Sequence, residues 1–121
     1  MQRLGNSITS IGNRAFLNCK SMPCVVLPDT VTEIGDSAFF DCENLSSVVI
    51  GRGVTAVGAF AFIGGSNLKT VYYKGTGEEW INIGGVENTP NTAHVCYYSE
   101  TKPSDDGSFW YYDTYGEIAM W

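Results

Sequence analysis

What the sequence lacks narrows its function first. No apolar run approaches the roughly 20 residues that cross a bilayer, so no membrane insertion is predicted. Positive charge is scarce: seven Lys and Arg face thirteen Asp and Glu, for a formal net charge of -6. No cluster of Lys or Arg offsets this locally, so the basic footprint that nucleic acid requires is missing. The opening residues, MQRLGNSITS, carry neither the apolar stretch nor the small-residue cleavage site of a signal peptide.

The groups that do chemistry are equally sparse. There is one histidine, His94, with no Asp/Glu motif to orient it toward a Ser or Cys nucleophile. Of the four cysteines, Cys19 and Cys24 lack the spacing of a zinc or redox pair and Cys96 stands alone, so no metal and no cofactor are expected. Neither IGGSN nor YKGTGEEW has the lysine and Ser/Thr of a phosphate loop. Glu78–Glu79 reads as favourable charge at a helix start and Asp105–Asp106 as turn residues. With no nucleophile, base and orienter together, the chain is expected not to be an enzyme.

What is present is repetition. ITSIGNRAFLNC returns as VTEIGDSAFFDC and, more loosely, as VTAVGAFAFIGG. Ile11, Ile34 and Val57 are 23 apart, as are Phe16, Phe39 and Phe62, and Val25, Val48 and Val71. Such a period with recurring aliphatic residues is the mark of a leucine-rich solenoid, in which neighbouring coils bury the face that one coil cannot. In LSSVVIG, Val48 and Ile50 should face the core while Val49 points the other way. Phe16, Phe39 and Phe62 should stack as an internal aromatic column. Cys19 and Cys42 share one place in adjacent coils, where stacked rungs bring two cysteines within reach of a disulfide; the favoured expectation is that they stay reduced, packing as small apolar residues.

Leu4 takes the place of Leu27 and Ile50, with the residues that should lead into it missing. The chain is thus expected to start in mid-coil, as a piece of a longer array, with end-to-end self-association through the truncated first coil as one consequence.

MPCVVLPDTVTEIGDSAFFDC and LSSVVIGRGVTAVGAFAF resemble the BspA-type leucine-rich repeats of bacterial surface proteins, over about residues 4 to 75. Departures lie at Gly51 and Lys74, where Pro28 would repeat, and at Gly65, where cysteine would. The resemblance implies a mostly β, right-handed solenoid of short strands and short helical turns. It also implies an exported or cell-surface setting and a role in adhesion or protein contact, with a host or cell-surface protein as partner.

At 23 residues beyond Gly58 and Phe62 the register fails, so residues 1–75 are read as a solenoid of about three coils and 76–121 as a C-terminal cap. In TGEEWINIG, Thr76 and Glu79 form a capping box, Gly84 ends a short helix, and Trp80 and Ile83 share a face that covers the last coil. AHVCYYSE alternates as a strand that could add one more rung, with Val95 and Tyr97 opposite Cys96 and Tyr98. GSFWYYDTYGEIAMW should be a hairpin looping at DTYG, and it resembles one copy of a cell-wall (choline-type) binding repeat.

Two binding surfaces follow. Val26, Val49, Tyr72 and Tyr98, with Cys96, form an outward apolar stripe along the strands, suited to a protein partner. Trp110, Tyr112 and Trp121 offer the alternative, a glycan or cell-wall site on the hairpin.

Overall fold

The computed structural model describes residues 2–62, 67–90, 93–104 and 107–121. The expected turn at Asp105–Asp106 and the substitution at Gly65 lie outside these residues.

Each 23-residue unit contributes two short strands to two different sheets. The larger sheet begins with β1 (Gln2–Arg3), β3 (Cys24–Val26), β5 (Ser47–Ile50) and β7 (Thr70–Tyr73), all parallel and in register, with Val25 beside Val48 and Val48 beside Val71. The smaller sheet stacks β2 (Ser10–Ile11), β4 (Glu33–Ile34) and β6 (Ala56–Val57). The chain is therefore mostly β, a solenoid wound around one core.

That core follows the period. Val25, Val48, Ile50 and Val71 are wholly buried between the sheets. The phenylalanine column forms as the repeat predicts: Phe39 stacks on Phe16 and on Phe62, each at 5.2 Å between ring centroids and within 4° of parallel. The strand spacing of about 4.8 Å imposes this separation, since each ring rides on its own coil.

Polar side chains at coil corners repeat the same step. The Asp36 N–H donates to Asn13 Oδ1 (2.8 Å) and the Ala59 N–H to Asp36 Oδ1 (2.9 Å). The hydroxyls of Thr32 and Thr55 donate to the carbonyls of Thr9 and Thr32. The first two bonds satisfy N–H groups that the turns leave without a backbone partner, and the threonine hydroxyls add a second bond to carbonyls that already accept the Thr32 and Thr55 N–H groups.

The ladder continues past Lys74. The helix α1 (Gly77–Ile81) starts at Thr76 with the capping box complete, and Trp80 and Ile83 bury into the main core. Gly84 bridges to Ala56, extending the smaller sheet, and β8 (His94–Tyr98) pairs in parallel with β7, Thr70 beside His94. The step here is 24 rather than 23, and a helix replaces the Ala-Phe turn, which is why the sequence register breaks while the stacking does not. Gly85 is required at this junction: its φ is 76°, and a Cβ there would lie 2.0 Å from the Val57 carbonyl oxygen.

Last come β9 (Phe109–Tyr112), parallel to β8, and β10 (Ile118–Met120), antiparallel to β9. Asp113 builds the hairpin turn, its Oδ1 accepting from the N–H groups of Tyr115 and Glu117, with Gly116 at φ 76°.

Candidate functional site

The outer face of the larger sheet carries Val26, Val49, Tyr72 and Cys96 side by side across β3, β5, β7 and β8. This is the stripe expected to be exposed, and it is covered. Val49 is 1% exposed, Val26 8% and Cys96 2%, and with Trp110 they form a second core that Tyr72, Tyr98, Tyr112 and Ile118 flank. Alternation explains the lid: Trp110, Tyr112 and Ile118 all project from the hairpin face that meets the sheet. An apolar stripe on one element and an apolar face on the next close on each other before either meets a partner.

Trp110 is the pin. It is fully buried, lies edge-on to Tyr72 (5.6 Å), Tyr98 (5.0 Å) and Tyr112 (5.0 Å), and donates Nε1–H to the Tyr73 carbonyl at 2.9 Å. At the hairpin turn, Arg3 Nη2 donates to the Gly116 carbonyl (2.7 Å) and its guanidinium lies 5.7 Å from the Tyr112 ring centre. The Lys74 ammonium sits 5.7 Å from the Tyr98 ring and 5.9 Å from the Tyr112 ring, and 3.3 Å from Asp29 Oδ2. Burial raises the pKa of Tyr72 and Cys96, and the neighbouring Cys96 and Cys24 thiols raise Tyr72 further.

The alternative glycan set is divided by the same geometry. Trp110 and Tyr112 face the sheet, whereas Trp121 is 44% exposed on the opposite side, stacked on Tyr111 at 4.2 Å and donating Nε1–H to the Ser99 carbonyl. The three rings do not make one platform.

Beside the hairpin a groove of about 420 Å³ remains open, lined by Asn6, Val26, Asp29, Val49, Lys74 and Tyr112 among others. A second, of about 470 Å³, runs along β2, β4 and β6 past Glu33 and Asp36.

His94 gains a neighbour that spacing did not reveal, Ser108 Oγ at 2.6 Å from Nε2. Among the described residues, no carboxylate bonds its other ring nitrogen. Among the described residues no group of three His, Cys, Asp or Glu is arranged to hold a metal, and no helix is long and apolar enough to cross a membrane.

The turn segments carry one further anomaly. Arg14, Ser37 and Phe60, at 23-residue intervals, all have φ between 56° and 60°. Phe60 is 60% exposed, a bulky side chain in the left-handed region with most of its ring in solvent.

The family model of the BspA type leucine rich repeat region matches residues 2–113 in six copies. The match reaches well past the coils that a strict 23-residue step counts, in keeping with the ladder that runs on through β8. No curated protein and no solved structure matches the chain.

Proposed function

The chain belongs to the BspA-type leucine-rich repeat family, and from that premise we propose that it is a non-catalytic protein-interaction module working at a bacterial cell surface, in adhesion or protein contact. A right-handed winding, with the helix and hairpin serving as caps, is part of this reading. So is end-to-end association through the first coil, where Leu4, Ile8 and Phe16 are half-buried and their counterparts Leu27, Val31 and Phe39 are buried.

The observation that carries the proposal is Phe60. The stripe of Val26 and Val49 is occupied by the chain's own hairpin, and Tyr72 and Tyr98 are half-buried beside it, so recognition moves to the turn segments. An exposed aromatic held in an unfavourable backbone region gains nothing for folding, and such violations gather where a surface is used. Leu17, 40% exposed, and the half-buried Phe40 extend the apolar character along those turns.

The test is a binding screen of host and cell-surface proteins against the parent chain, Phe60→Asp and Leu17→Asp. A partner whose binding is lost in Phe60→Asp, with no fall in melting temperature, supports the reading. Partners indifferent to both substitutions remove the turns from the interface.

A further inference from the structure

We infer that the groove between the hairpin and the 28–30 turn binds one or two rings of a neutral sugar. Its floor is the half-buried Pro28 with the little of Val26 that the hairpin leaves uncovered, and Tyr112 supplies an aromatic wall. Asn6, Asp29 and Lys74 line its rim and bring an amide, a carboxylate and an ammonium. A sugar ring has the matching faces, a patch of C–H bonds for the floor and wall and a girdle of hydroxyls that both donate and accept.

Charge selects a neutral ligand. Asp29 and Lys74 already pair at 3.3 Å, so the rim presents a carboxylate and an ammonium that neutralise each other. A cation would compete with Lys74 for Asp29, and an anion would compete with Asp29 for Lys74 while approaching a chain of net charge -6. A hydroxyl can accept from the ammonium and donate to the carboxylate without breaking the pair, because each carboxylate oxygen has a second lone pair.

The rim is also positioned in advance. Asp29 Oδ1 accepts the Arg52 N–H at 3.0 Å, and Lys74 is held between Tyr98 and Tyr112. A volume of about 420 Å³ lies within the range of small-ligand pockets, roughly 300–1,000 Å³. The groove lies on the sheet face, so this inference stands apart from the Phe60 reading.

The experiment is an amide-shift titration of the full chain with cellobiose, maltose, N,N′-diacetylchitobiose and, as the acidic probe, digalacturonate. At least one neutral disaccharide should give saturable shifts at Asn6, Val26, Val49 and Lys74. Asn6→Ala, an exposed change, and Lys74→Met should each weaken that binding about tenfold or more, while Phe60→Asp leaves it unchanged. Absence of saturable shifts with all three neutral probes would overturn the proposal. So would tighter binding of digalacturonate, or shifts confined to Tyr111 and Trp121.

Discussion

Trp110, on the C-terminal hairpin, is hydrogen-bonded through its indole to the backbone carbonyl of Tyr73, 37 residues earlier on β7. The bond fixes a segment that follows the last solenoid strand onto the outer face of that solenoid. It makes the hairpin part of the folded unit, since Val26, Val49 and Cys96 form one buried cluster with Trp110.

Trp110→Ala should therefore act beyond its own site. The loss of a fully buried indole is expected to cost about 3–5 kcal/mol, and the unseated hairpin should leave the Val26–Val49 stripe open to solvent. Thermal melts and binding of a hydrophobic dye report the two effects. A variant that melts with the parent and binds no extra dye would show that the hairpin is not held by this residue.

Phe39 is the middle ring of its column, stacked on both sides. Phe39→Ala should cost about 3–5 kcal/mol, and more than Phe16→Ala, because Phe16 is half-buried at the first coil while Phe39 has no exposure. Chemical denaturation of the two variants gives the ranking, and equal losses would contradict the column as a continuous core.

How much of this was legible depends on whether a residue answers to its own coil or to another segment. The phenylalanine column, the inward Val48 and Ile50 and the Thr76–Glu79 capping box are set by a period or by a local spacing, so the chain displays them. The fate of Val26 and Val49 is not: an outward apolar stripe reads the same whether a partner or the chain's own hairpin covers it. The clue lay in the hairpin, where Trp110, Tyr112 and Ile118 alternate toward one face, a pattern that needs its own apolar surface. The rung formed by β8 hid for another reason, since replacing the Ala-Phe turn with a helix and adding one residue destroys periodicity but preserves the hydrogen-bonded pairing with β7. Phe60 stood out in neither way, because its backbone conformation is not a property of its side chain.

The cysteines give a prediction with a pH dependence. All four are free thiols; Cys42 and Cys96 are buried, and Cys42 donates to the Phe16 carbonyl at 3.0 Å. Burial raises the pKa of both. An acid whose pKa is higher in the folded state holds its proton more tightly there, so its contribution to stability is complete below the ordinary thiol pKa. That contribution is lost as pH rises through the raised value. Native-state thiol titration should label the half-exposed Cys19 first and reach Cys42 and Cys96 only on unfolding, with four thiols in denaturant without reductant. Two missing thiols would reveal a Cys19–Cys42 bridge.

Phe60 allows stability and recognition to be separated at one position. Its left-handed backbone costs a residue with a Cβ roughly 1–2 kcal/mol relative to the ordinary helical region. Arg14 and Ser37 hold the same conformation at the same place in their coils, so the turn demands it and the phenyl ring does not cause it. Asparagine tolerates this region because its short side chain bonds locally, and little burial is forfeited when a ring already 60% exposed is removed. Phe60→Asn should thus raise stability by about 1 kcal/mol. Phe60→Gly should gain less, since glycine surrenders more backbone freedom on folding. If the ring is kept for contact, the same Asn variant should lose partner binding as it gains stability, the exchange expected where a surface feature is retained at the expense of the fold. Denaturant melts of the parent, Asn and Gly chains settle the first half, and a parent as stable as Phe60→Asn would remove the strain from which the contact role is argued.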